Sequence, residues 1–145
     1  MKSQLRICFI LLVSIYGLFS AIVQAGGSDE TLCPSKDFSK FLAAYTESSS
    51  VQEKFTNMPL KKTITVDAEP EPKQVITFLE KTQIVLPILP DEKHRTESGL
   101  KLQMVDNASG MVAVKLEKPD TDYQIIYIFK LSSCWFLDEV KDYSL

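Results

Sequence analysis

The first 25 residues decide how much chain is left to fold and in what redox environment. Lys2 to Arg6 make a basic start, Ile7 to Val23 an apolar run, and Val23-Gln24-Ala25 places tolerated small side chains third and first before a cut. This is the three-part layout of a secretory signal peptide. Cleavage after Ala25 is the expectation, with Gly26 and Gly27 opening the mature chain. A retained membrane anchor is the alternative, because the run, broken only by Ser14, Gly17 and Ser20, approaches the roughly 18–20 residues that span hydrocarbon. Cys8 lies inside the run and Cys33 follows Asp29 and Glu30, so no lipid attachment site presents itself. The expected location is periplasmic or secreted, with no membrane contact after cleavage.

Removing the leader leaves 120 of the 145 residues, enough for one core. The expected layout is a signal peptide over 1–25, a polar lead over 26–34 and a single domain over 35–145. The leader takes two basic residues and no acid, so the formal charge moves from −3 to −5. A nucleic-acid surface needs clustered Lys and Arg. Here Lys61-Lys62 and Lys93-His94-Arg95 are the only basic neighbours, and nucleic acid is excluded as a partner.

Of three cysteines, Cys33 and Cys134 survive cleavage, an even pair in an oxidising space. They are expected to form a disulfide closing a loop of about 100 residues, with a stabilisation of up to about 4–5 kcal/mol on the chain-entropy model. Two cysteines and the single histidine, His94, fall short of the four ligands of a structural zinc site. No metal and no cofactor is called for.

After Pro34, Ser35-Lys36-Asp37 supplies a helix start and Phe38, Phe41, Leu42 and Tyr45 recur at helical spacing. Ser48 to Ser50 interrupts, and Ser50 with Glu53 reads as a capping box opening a second helix with Val51 and Phe55. Pro59 is expected to end the helical portion. From Lys62 to Asp67 the period becomes two, a half-buried strand. Glu69-Pro70-Glu71-Pro72 forces an extended link. Lys73 to Leu89 suits either a strand or helical turns, with Pro87 and Pro90 excluding a central strand at its end. Asp91 to Ser98 reads as a charged loop.

Leu100, Leu102 and Met104, then Val112, Val114 and Leu116, alternate on either side of a turn at Asn107 to Gly110, a hairpin. Tyr123 to Phe129 is apolar on both faces, a central strand, and Cys134 to Val140 is the last. The fold class is α+β: two N-terminal helices packed on a curved antiparallel sheet of four or five strands.

That order of elements, with the closing Cys134-Trp135-Phe136-Leu137 strand and the tail Asp138 to Ser144, resembles the NTF2-like, cystatin-like roll. More narrowly, the chain resembles small secreted or lipid-anchored bacterial proteins of unknown function. Phe38 and Phe41, Val51-Gln52 with Phe55, Pro59-Leu60, Tyr127 with Phe129, and Asp142 and Ser144 carry that likeness over most of 35–145. The resemblance implies a fold without an activity. Its departure is Glu69 to Pro90, where a standard roll has a clean third helix.

Catalytic relatives of such rolls use a buried Asp with Tyr or His partners for proton transfer. The corresponding set is Asp122, Tyr123, Tyr127, Asp138 and His94. No acid and base stand at a defined spacing, and the expectation is a non-catalytic protein. Tyr123, Tyr127, Phe129, Trp135 and Phe136 are the candidates for a pocket or an interface. Trp135 and Phe136, adjacent on a strand, must face opposite sides; with Trp135 and Leu137 inside, Phe136 goes outside and marks an interface. The leading expectation is an exported module binding an envelope protein, as an inhibitor or immunity factor. A small-ligand carrier, a cofactor-free enzyme and a homodimer through the open sheet face remain alternatives.

Overall fold

The computed structural model describes residues 32–144. The expected signal peptide, its cut after Ala25, Cys8 and the first residues of the polar lead lie outside the described residues. Two helices come first, α1 over Phe38–Glu47 and α2 over Ser49–Lys54. Asp37 caps α1, its carboxylate accepting from Lys40 N at 3.0 Å. Phe38, Phe41 and Tyr45 form the buried stripe that the spacing predicts. The second cap is Ser48 rather than Ser50: its Oγ accepts from Val51 N at 3.4 Å, which starts the helix earlier and removes Glu53 from a capping box. Glu53 instead pairs with Lys81 at 2.9 Å.

Six strands follow: β1 Thr56–Val66, β2 Lys73–Leu79, β3 Lys101–Ala108, β4 Met111–Glu117, β5 Gln124–Leu131 and β6 Trp135–Asp142. They form one sheet in the order β2-β1-β6-β5-β4-β3. The expected four or five antiparallel strands are thus corrected to six in a mixed sheet, because β1 pairs with β6 in parallel. Pro59 does not end a helix. It lies within β1, in the stretch between Thr56 and Lys61 where the ladder to β6 shifts register, a place that tolerates a residue with no N–H to donate. The ambiguous 73–89 stretch resolves into β2, a 3-10 turn over Lys81–Gln83, and a strap that runs on to Pro90. Asp91 to Ser98 is not a loop but holds a short helix, α3 over Glu92–Glu97, capped by the Asp91 carboxylate accepting from His94 N at 2.8 Å. Ser109-Gly110 closes the β3–β4 hairpin, with Gly110 at φ 75°, where a side chain is disfavoured.

Helix α1 packs on the inner face of the sheet. Phe41 meets Phe55 and Phe129 edge to face at 5.9 Å in each case, and Tyr45 meets Phe129 at 5.2 Å. These rings, with Leu60, Val112, Val114, Leu116, Leu137 and Val140, make one core. A bulge in β6 at Asp138 keeps both Leu137 and Val140 inward: Phe129 opposes Leu137 while the preceding Ile128 opposes Glu139.

The disulfide joins Cys33 to Cys134 across 101 residues, with Cα atoms 5.5 Å apart. Next to it, Trp135 Nε1 donates to Lys36 O at 2.9 Å and the indole packs edge to face on Phe38 at 5.0 Å. The lead into α1 is therefore fixed to the start of β6 by a covalent bond and a hydrogen bond. Among the described residues, no helix is long and apolar enough to cross a membrane.

Candidate functional site: a cavity under the strap

The strap from Glu80 to Pro90 crosses the inner face of β1, β6 and β5 and is held by one side chain. Gln52, fully buried on α2, donates from Nε2 to Leu89 O at 2.8 Å and accepts at Oε1 from Ile88 N at 2.6 Å and Leu89 N at 3.1 Å. A primary amide presents a donor and an acceptor side by side, the same pattern as a neighbouring strand. The strap gains here the pairing that Pro87 and Pro90 deny it within a sheet. Tyr127 adds a bond from its hydroxyl to Ile88 O at 3.1 Å. Leu89 is then fully buried and locks the strap into the core.

Between strap and sheet lies a cavity of about 290 Å³. Leu60, Leu79, Ile84, Ile88, Ile125 and Val140 supply apolar wall, while Lys62, Gln83, Tyr127 and Asp142 supply the polar groups. The Lys62 ammonium stands 3.8 Å from Asp142 Oδ2, and both side chains are partly exposed at the rim. The Tyr127 hydroxyl stays protonated far into the alkaline range, first because burial disfavours a phenolate and then because Tyr123, Asp142 and Tyr45 add negative charge nearby. Mostly apolar walls with a few fixed polar groups are the usual make-up of a small-molecule site. A second hollow of similar size opens on the other side of Ile84, against Glu53, Met58 and Lys81.

Of the residues singled out in the sequence, Tyr127 lines the cavity. Tyr123, just before β5, borders a separate polar hollow of about 360 Å³ with Asp122 and Tyr143. Phe129 and Trp135 are core, packed on α1. Phe136 is half-buried and packs against the core, its ring 5.5 Å from Phe55. Of the proton-transfer set, Asp122 and Tyr123 share the polar hollow and Tyr123 lies near Tyr127, while Asp138 and His94 have other neighbours. Asp138 is held by Lys130 Nζ at 2.7 Å and Asn57 Nδ2 at 3.1 Å. Partial burial raises its pKa, but those two hydrogen bonds and the charges of Lys130 and Lys61 outweigh it, leaving the carboxyl below the usual range. His94 is exposed on α3 against Asp91, whose carboxyl is lowered mainly by the backbone hydrogen bond from His94. Among the described residues, no three His, Cys, Asp or Glu side chains gather where a metal ion would fit.

Gln52 and the strap were not singled out as a site. The available signal was a polar residue three before Phe55, on the helix face that Phe55 turns to the core.

No family model matches the chain, and no curated protein matches it. Among solved structures, the chain is similar to an NTF2-like protein from Bacteroides fragilis, with a TM-score of 0.57 and 21% identity over 77% of this chain. It spans about half of that protein, 48% of its length. A chain from work on an enumerative algorithm for de novo design of proteins with diverse pocket structures overlaps at a TM-score of 0.35, with 11% identity over 70% of this chain and 89% of its own. The first likeness shows the fold, an NTF2-like roll.

Proposed function

We propose that the chain is a non-catalytic, exported binding module that takes a small, mostly apolar ligand in the cavity beneath the strap. The observation that supports this is the cavity itself: about 290 Å³, walled by Leu60, Leu79, Ile84, Ile88, Ile125 and Val140, and roofed by a strap that Gln52 and Tyr127 hold in place. Its volume sets the scale of the ligand near the lower end of typical small-molecule sites, which begin at about 300 Å³. The Lys62 and Asp142 rim would orient a polar end toward solvent. The acids Asp122 and Asp138 and the imidazole of His94 lie outside the cavity wall.

The test is titration with an anilinonaphthalene sulfonate dye, followed by displacement with short aliphatic alcohols and acids. Saturable binding of one dye per chain is expected, lost when Ile125→Trp fills the cavity. A dye signal that never saturates, or one indifferent to Ile125→Trp, removes the carrier reading.

A second reading, the protein-binding module of inhibitor or immunity type, is favoured by a different observation. Ile76 and Phe78 stand exposed on the outer face of β2 and Val75 on its inner face, and such an apolar row along an edge strand calls for a covering chain. Mixing with candidate envelope partners and finding no complex would remove it.

A further inference from the structure

The two edges of the sheet are built differently. β3 forms one edge; it exposes Met104 and Val105, but its ladder to β4 is broken by a bulge between Met104 and Asp106, and it carries Lys101, Gln103, Asp106 and Asn107. Bulges and charges are the devices that keep a strand edge from pairing. β2 forms the other edge. It pairs with β1 in unbroken register from Leu60 opposite Leu79 to Val66 opposite Lys73. From Gln74 to Leu79 it bears no charge, and Val75, Ile76 and Phe78 are 39%, 56% and 61% exposed. An edge of this kind is a template for another strand.

The geometry points to a second copy of this chain as that strand. A two-fold axis normal to the sheet leaves each face on its own side, so residues of one face can stand only opposite residues of that same face. On β2, Gln74, Ile76 and Phe78 share the outer face with Lys61, Thr63 and Thr65; Val75, Thr77 and Leu79 share the inner face with Leu60, Lys62 and Ile64. Antiparallel pairing centred on Thr77 then sets Ile76 against Phe78 of the second copy, and the reverse, on the outer face. On the inner face it sets Val75 against Leu79 of the second copy, with Thr77 meeting its own equivalent. β-branched with aromatic, aliphatic with aliphatic and Thr with Thr are the pairs that stabilise antiparallel neighbours. Centring on Ile76 instead places Gln74 against Phe78 and Thr77 against Val75, and the match is lost. The assembly is a continuous sheet of twelve strands, six from each copy. This names the occupant for the protein-binding reading and rests on it only in taking the apolar row to be covered.

The test uses the oxidised protein recovered after export. Light scattering through a dilution series should give twice the chain mass, and Phe78→Lys, a change on an exposed edge, should weaken the dimer by about tenfold or more. Thr77→Cys should yield a disulfide-linked dimer, because its side chains meet at the axis. A monomer at every concentration, or a dimer unaffected by Phe78→Lys, overturns the assignment. A cross-link from Val75→Cys with none from Thr77→Cys overturns the register. A monomer that captures a different envelope protein through β2 overturns the second copy and leaves the protein-binding reading standing.

Discussion

Gln52 and Leu89, 37 residues apart, exchange two hydrogen bonds: the side-chain amide of one donates to the carbonyl of the other at 2.8 Å and accepts from its N–H at 3.1 Å. A side chain thereby does for the strap what a ladder does for a strand. The same amide also accepts from Ile88 N, so three peptide groups at the base of the strap depend on one residue.

Gln52→Ala should therefore be costly. It leaves buried peptide groups without partners at about 1–3 kcal/mol each and opens a void where the side chain was, for a total loss of at least about 3 kcal/mol. Urea melts of the oxidised protein check the magnitude. Gln52→Leu keeps much of the volume and should still lose most of that stability; a near-neutral Gln52→Leu would show that packing, not pairing, holds the strap.

Reducing the Cys33–Cys134 bond frees the lead to α1 from β6 and lengthens the free chain of the unfolded state by a loop of 101 residues. The expected loss is up to about 4–5 kcal/mol. Denaturant melts with and without reductant give the difference, and coincident curves would show that Trp135 and Phe38 hold the terminus unaided.

How much of this was legible follows the range of the interactions. Phe38, Phe41 and Tyr45 were readable as a buried stripe because helical periodicity is local, and so were Val112, Val114 and Leu116 on β4. The Cys33–Cys134 pair followed from arithmetic alone. β2 was ambiguous because an exposed edge strand has no buried face to impose alternation, and Val75-Ile76-Thr77-Phe78 therefore carries no period. The parallel pairing of β1 with β6 joins residues nearly 80 positions apart, such as Lys61 with Glu139, and nothing local encodes it. Gln52 was hidden for the same reason: its burial is decided by Leu89. Asp91 is different, since its place before Glu92 was a readable helix start obscured by the charges around it.

Asp138 should make the fold sensitive to acid. Its folded pKa lies below the ordinary value of about 3.9, so the stability it contributes is complete above that value and is lost as pH falls through the lower folded one. Asp138→Asn should flatten the fall in melting temperature below about pH 4 while lowering the plateau at neutral pH, where the Lys130 pair is removed. An acid limb as steep in the variant as in the parent would assign the loss to other carboxylates.

At the alkaline end the sign reverses. Tyr127 and Tyr45 both have phenols raised above the ordinary value of about 10, each chiefly by burial, so the folded state resists ionisation that the unfolded chain accepts. Their contribution is complete below about pH 10 and is lost as pH rises from there toward the folded values. Tyr127→Phe should cost about 1 kcal/mol at neutral pH, the net worth of its bond to Ile88 O. It should also remove one of the two phenols from the alkaline limb, leaving Tyr45, whose hydroxyl pairs with Thr56 at 2.8 Å, to set what remains. Stability followed by near-ultraviolet circular dichroism from neutral pH into the alkaline limb separates the two, because the strap bond acts at every pH and the ionisation only above the unfolded pKa. If Tyr127→Phe lowers stability at neutral pH and leaves the alkaline limb as steep, Tyr127 anchors the strap without being the group whose ionisation opens it.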